Sequence, residues 1–270
     1  MTCGGPVRTA LITGTTSGLG KMLAATLAQS GWLVYFHGRD VGRLQEAGRL
    51  IPGGVAMCAD LGSISQVGRL AAEASTITPA IDLLINNAGV GYGPPDQERQ
   101  LGTDGYELRF SVNCIAPLLL SSLLAPHMAP GGRIVNVGSV NQGPFDIHDL
   151  LLEPYRGDAA YQRSKMALSA GTFSLAADPR FSQVTMNCVH PGSRLDTPMV
   201  RISGVSPLND LSTGVDAVLH VATAPALDGV TGAFFDGAAP ARAHPQAYSA
   251  EFQSWLRRVL NREMHKTVRQ

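Results

Sequence analysis

Tyr161 and Lys165 stand four positions apart in a stretch of helical periodicity, a spacing that puts a phenol and an ammonium on one helix face. A free tyrosine titrates at about 10 and shuttles protons poorly at neutrality. A neighbouring cation favours phenolate and lowers that value, which predicts for Tyr161 the part of acid or base. Ser139 closes a short apolar run further up the chain and is a candidate to polarise the same substrate oxygen by hydrogen bonding. The expected chemistry is proton exchange with a carbonyl or alcohol oxygen as its carbon gains or loses a hydride. A Tyr-x-x-x-Lys pair is common on exposed helices, so its weight comes from what precedes it.

What precedes it is Thr13-Gly14-Thr15-Thr16-Ser17-Gly18-Leu19-Gly20, which follows the first apolar run and opens a helical stretch. Glycines allow positive φ and close backbone approach, and a helix start offers unpaired N–H groups with a partial positive charge. Both suit a pyrophosphate, so Gly14, Thr16, Ser17, Gly18, Leu19 and Gly20 are candidate cofactor contacts. The second apolar run ends in His37-Gly38-Arg39, where an NAD site carries an acid for the ribose hydroxyls. A guanidinium at Arg39 would instead fork onto a 2′-phosphate, which predicts NADP(H); the plainer alternative is a solvated surface arginine. Asp60, followed by Leu61, either caps the next helix or accepts from the adenine amino group.

These residues need a scaffold, and its pattern is regular. Apolar runs at residues 8–13, 32–36, 54–58, 83–86, 133–137, 184–189 and 233–235 predict strands. Helical periodicity fills 19–30, 41–50, 63–75, 103–127, 160–177 and 215–222. The alternation predicts an α/β protein: one doubly wound domain over residues 1–270, with a parallel seven-stranded sheet and helices on both faces. The turn-rich segments 141–158 and 193–213 break the alternation and are expected to line a substrate pocket. A last amphipathic helix, about 245–264, aligns Tyr248, Phe252, Trp255, Leu256, Val259 and Leu260, a face that fits packing on the domain, a subunit contact or a pocket lid.

Composition removes several classes. The 270 residues are 44% hydrophobic with a formal net charge of zero, enough for a large core and without a basic stripe for nucleic acid. Residues 1–6 are too short for a signal peptide, and no apolar run reaches the roughly 18 residues of a membrane span, so a cytoplasmic protein is expected. Cys3, Cys58, Cys114 and Cys188 form no CxxC pair and are expected as reduced thiols. No histidine spacing suggests a metal. A methyltransferase also begins on a glycine-rich turn, but it would need an acid after the second strand and has no use for the Tyr/Lys pair.

The loop at 13–20, Asn86-Asn87-Ala88-Gly89, Ser139, the Tyr161/Lys165 pair and the Pro191-Gly192 turn together resemble the short-chain dehydrogenase/reductase family over residues 8–235. The resemblance implies a Rossmann domain and a fourth catalytic residue, Asn113, whose backbone kink holds a water relaying protons to Lys165. It also implies that Asn87, Ala88 and Gly89 line the cofactor cleft, with Asn87 bracing the central strands. Pro191 and Gly192 become the nicotinamide-facing turn, and Tyr161 and Lys165 contact the cofactor, Lys165 through the nicotinamide ribose. Tyr161 lies 22 positions after Ser139, an insertion that looks like the retinol dehydrogenase and protochlorophyllide reductase branch, which mostly uses NADP. Thr197, the expected carboxamide contact, falls one position late. The insertion precedes a helix that many relatives use for tetramers, which leaves homodimer and homotetramer open. The expected activity is an NADP(H)-dependent ketoreductase or carbonyl reductase for a small, fairly apolar carbonyl or alcohol substrate. A secondary alcohol dehydrogenase running oxidatively is the alternative, and an NADP-sensing binding protein without turnover is a weaker one, since the whole set Asn113, Ser139, Tyr161 and Lys165 is present.

Overall fold

The run Thr9–Ile12 is buried at every residue, as expected of a strand covered on both faces, and it forms the central strand β1 of a computed structural model that describes residues 7–77, 80–94 and 97–268. Residues 1–6, with Cys3, lie outside the described residues. In chain order follow α1 (Gly18–Gln29), β2 (Leu33–Gly38), α2 (Val41–Gly48), β3 (Val55–Cys58), α3 (Ile64–Ile77) and β4 (Ile81–Asn86). A composite helix comes next: α4 (Leu108–Phe110), a π-helical turn (Ser111–Ile115) and α5 (Ala116–Leu124). Then come β5 (Met128–Val137), α6 (Gly157–Ala176), β6 (Thr185–His190), α7 (Pro198–Ile202), α8 (Leu211–Thr223), β7 (Phe234–Asp236), β8 (Ala239–Ala241) and α9 (Ala250–Val268).

The strands lie in the order β3-β2-β1-β4-β5-β6-β7-β8, parallel except for the β7–β8 pair. The chain winds outward from β1 in one direction and from β4 in the other. The loops after β1 and β4 therefore diverge and leave a crevice between them, the place where doubly wound sheets bind ligands. Leu19, Leu23, Leu44, Val215 and Val218 of α1, α2 and α8 pack on one face of the sheet. Val67, Leu118, Leu168 and Leu256 of α3, α5, α6 and α9 belong to the core on the other face.

Among the described residues the sheet has eight strands where seven are predicted. The added β8 is three residues long and holds Pro240, so no periodicity announces it. The predicted helix 103–127 begins only at Leu108, after a turn at Gly105 with φ 82°, and its hydrogen bonding slips by one residue at Ser111–Ile115. Segment Leu108–His127 does have the length and hydropathy of a membrane span, contrary to the expectation, but 83% of that window is buried inside the fold, as suits a core helix. Helix α8 starts at Leu211, so the loop predicted at 193–213 is shorter, and α7 lies within it. Of the predicted C-terminal face, Phe252, Leu256, Val259 and Leu260 are buried, and α9 packs on α3, α5 and α6; Tyr248 stays 41% exposed.

Candidate active site

At the crevice, the turn after β1 is shaped by what glycine lacks. Gly14 has φ 71°, and a Cβ there would lie 2.7 Å from Ala88 Cα. A Cβ on Gly20 would lie 2.2 Å from the Gly14 carbonyl oxygen and 2.3 Å from Asn87 Nδ2. Thr13 and Asn87 tie this turn to the end of β4: Asn87 Nδ2 donates to the carbonyls of Thr13 (2.9 Å) and Gly14 (3.1 Å), and the Asn87 and Ala88 amides donate to Thr13 Oγ1 (both 3.0 Å). Ser17 at the start of α1 makes no side-chain cap bond, so the helix presents its first amides to the crevice. The cradle fits a pyrophosphate.

The adenosine side of the cradle is mixed. The Thr16 methyl group packs over Gly38, where a Cβ would come within 2.4 Å of it. Arg39 is exposed at the end of β2 and makes no ion pair among the described residues. Its neighbour Asp40 is occupied: as the N-cap of α2 it accepts from the Arg43 amide at 2.8 Å. Asp60 Oδ1 accepts from Gly62 at 2.9 Å, a turn within its own loop, while Asp104 caps α3 at Ile64. Asp60 is thus not the cap of α3. Leu19 and Leu61 are buried in the core, which leaves only their backbones to face a ligand.

The other end of the crevice gathers the titrating groups. Tyr161 and Lys165 project from α6, and the Ser139 side chain, which accepts from the Asn141 amide at 3.0 Å, lies near enough to the Tyr161 phenol to favour its ionised form. Lys165 Nζ donates to the Val137 carbonyl at 2.7 Å and lies 5.8 Å from the centre of the Tyr161 ring. Burial pushes the phenol up to about 12, opposed by the neighbouring Ser139 side chain, and pushes the ammonium down to about 8. The sequence reasoning expects a lowered phenol. The sign differs because both groups are desolvated and the lysine spends a proton on a backbone carbonyl.

Asn113 sits in the π turn, buried, with Oδ1 accepting from the Val90 amide (2.7 Å) and Nδ2 donating to the Val90 carbonyl (2.9 Å) and Ser164 Oγ (3.0 Å). It thereby joins the segment after β4 to α6. Gly89 lies between: a Cβ there would stand 3.3 Å from Asn113 Oδ1 and 3.8 Å from Lys165 Nζ. Pro191 and Gly192 follow β6, and Thr197 caps α7 by accepting from Val200 while its methyl group faces Gly18, 3.1 Å from a Cβ built there. Met199 of α7 covers Gly91.

Several residues that sequence reasoning passed over shape the mouth of the site. Tyr92 packs edge-on against Tyr161, ring centres 4.8 Å apart, and its hydroxyl accepts from Asn141 Nδ2. Arg109, fully buried, donates to Glu107 Oε1 (2.9 Å), to the carbonyls of Gly91 (2.8 Å) and Tyr92 (2.7 Å), to Gln97 Oε1 (3.2 Å) and to the Tyr155 hydroxyl. Asn86 Nδ2 donates to Asn136 Oδ1 at 2.8 Å, so it is Asn86 that joins β4 to β5, while Asn87 holds the glycine turn. The inserted segment is anchored as well. Phe145 is buried among Phe110, Phe252 and Trp255, and Gln246 bonds both its backbone groups at 2.8 Å. Its first residues, around Asn141, reach the mouth through Tyr92, and its last, at Tyr155, reach it through Arg109.

A doubly wound sheet with a dinucleotide cradle and a Tyr/Lys/Ser group at its switch point defines a nicotinamide oxidoreductase class. The short chain dehydrogenase pattern matches residues 8–204, and the chain belongs to that family of oxidoreductases acting on alcohol and carbonyl groups. It is 30% identical to retinol dehydrogenase 13 of Homo sapiens over 91% of this chain and 81% of that protein, which places it in the retinol dehydrogenase-like branch. It is 32% identical to polyprenol dehydrogenase of Mus musculus, covering 93% of this chain and 82% of the relative. Among solved structures, NADPH bound carbonyl reductase from chicken fatty liver superposes with a TM-score of 0.69 at 26% identity, covering 88% of this chain and 99% of the other.

Proposed function

We propose that the protein is an NADP(H)-dependent ketoreductase for a small, fairly apolar carbonyl compound, with Tyr161 as proton donor. The carrying observation is that Asn113 and Lys165 meet beside Gly89, with the Tyr161 ring 5.8 Å from Lys165 Nζ and Ser139 next to the phenol, while Ala88, the neighbour of Gly89, packs on the glycine turn at Gly14. The bound nicotinamide supplies the hydride. Ser139 bonds the substrate oxygen, and Tyr161, held protonated by burial, releases its proton to that oxygen. Lys165 stabilises the phenolate left behind and positions the nicotinamide ribose. Asn113 fixes the turn that opens toward Lys165. Gly14, Thr16, Ser17, Gly18, Leu19, Gly20, Asn87, Ala88 and Gly89 hold the pyrophosphate and inner ribose. Pro191, Gly192 and Thr197 border the nicotinamide, and Asp60 and Leu61 the adenine.

NADP preference is supported by the free guanidinium of Arg39 beside an Asp40 carboxylate committed to capping α2. The oxidative direction has a point in its favour too: the retinol and polyprenol relatives are named as dehydrogenases. The reading includes a single domain and a cytoplasmic location, in keeping with the buried free thiols Cys114 and Cys188. Because α9 lies over α5 and α6, a tetramer through α6 would have to displace it. The test is NADPH absorbance followed against a panel of ketones, aldehydes and quinones, with the corresponding alcohols and NADP+ in parallel. Consumption with a carbonyl supports the reading; turnover with NADH alone, or with neither cofactor, overturns it.

A further inference from the structure

The ring of His37 is buried, with 3% of the residue exposed, and both its nitrogens are engaged. Nε2 lies 3.0 Å from the Ala59 carbonyl, which can only accept, so Nε2 carries the proton. Nδ1 lies 3.3 Å from the Gly14 amide, which can only donate, so Nδ1 is bare. Partners of opposite kind leave one neutral tautomer that satisfies both. The backbone joins in, since the His37 carbonyl accepts from the Thr15 amide (2.8 Å) and from Thr15 Oγ1 (3.1 Å).

Gly14 is the residue whose positive φ turns the chain into the phosphate cradle, and Ala59 immediately precedes Asp60 and Leu61. One imidazole therefore spans the turn after β1 and the end of β3, on the two sides of the adenosine half of the crevice. We propose that His37 is a positioning residue of the cofactor site, holding the Gly14 amide and the Ala59 carbonyl at the separation that a bound dinucleotide requires. The inference rests on the reading of this crevice as a nicotinamide dinucleotide site. It adds to the Thr13 and Asn87 side chains, which tie the turn to β4, one that ties it to β3.

Leucine at this position would keep volume and remove both bonds, while asparagine would return an acceptor to Gly14. NADPH fluorescence titration of wild type, His37→Leu and His37→Asn, with melting of each free protein, separates the cases. The expected result is an NADPH Kd about tenfold weaker for His37→Leu, the scale of one or two lost hydrogen bonds, and at least partly restored in His37→Asn. The kcat at saturating cofactor should stay within about twofold, because the ring lies away from the reacting atoms. An unchanged Kd in a folded His37→Leu, or equal losses in both variants, overturns the role. If His37→Leu does not fold, wild-type NMR decides: ring nitrogens in the Nε2–H form that shift on adding NADPH support the proposal, and an Nδ1–H ring or one unmoved by NADPH refutes it. A wild-type protein that binds neither NADPH nor NADH fails at the earlier step, the cofactor reading itself.

Discussion

The two ends of the crevice are built by different means. The cofactor end is made of close backbone packing held by short-range bonds: Gly14 and Gly20 pack where a Cβ would collide with Ala88 or Asn87, the Asn87 amide donates to Thr13 Oγ1, and Asn87 Nδ2 donates to the Thr13 carbonyl. The substrate end is made of side chains that reach across the sequence. Arg109 gathers the segment after β4, the start of the composite helix and, through Tyr155, the inserted segment. The first kind of construction admits almost no substitution. The second fixes only a clamp, and leaves the residues it positions, such as Tyr92 and Asn141, free to suit a substrate.

The largest expected effect tests the chemistry that both ends share. Tyr161→Phe removes the proton donor and leaves the cradle alone. It should lower kcat by about 10²–10⁴-fold, the usual worth of a general acid, with NADPH Kd unchanged by titration. The clamp comes next. Arg109→Met leaves the Glu107 carboxylate buried without its cation, which should cost about 3–5 kcal/mol in urea unfolding, and Glu107→Gln added to it should recover part of that. Under native conditions the single variant should raise substrate KM while NADPH Kd holds. If both rise together, the two ends are one unit and the comparison fails.

This division also explains what could be read from the chain. The glycine turn and the Tyr161/Lys165 pair are short-range patterns, visible in the sequence because each is complete within a few residues. The π turn is different: Asn113 reads as an ordinary helical residue, and only the family resemblance marks it. Glu107 and Arg109 fall unremarked within the predicted helix 103–127, because nothing local reveals that Gly91, Tyr92 and Tyr155 fold onto them. Phe145 lies among turn formers and becomes core only because α9, a hundred positions later, supplies Phe252 and Trp255. His37 was in plain view beside Arg39, but its part depends on Ala59 and Gly14 meeting its two nitrogens. Long-range packing decides each of these, and periodicity carries no record of it.

A smaller effect follows from that same ring. Burial pushes His37 down from 6.5 to about 4, against the weaker pull of Asp60 and the Ala59 bond. Between these values the unfolded chain binds a proton that the fold refuses. The contribution to stability is therefore whole above about pH 6.5 and declines as pH falls toward 4, by about 2 kcal/mol at pH 5 and about 3 in all. The buried His190, also lowered, acts in the same direction. Urea unfolding at pH 7.5 and pH 5 should show the loss, and it should be smaller in His37→Asn. An equal loss in both would move the effect to other groups.

The smallest change probes an exposed side chain at the cofactor end. Arg39→Ala removes an exposed guanidinium with no ion pair among the described residues, so melting should stay put. NADPH Kd should weaken about tenfold, the scale of one charge-assisted hydrogen bond, while NADH, with no 2′-phosphate, should be nearly unaffected. The Asp40 carboxylate would then be the charge nearest the ribose, although its cap on α2 costs it freedom to turn, so preference should level and not invert. Comparable losses for both cofactors would mean that Arg39 shapes the cradle generally, and that this end too relies on a side-chain clamp.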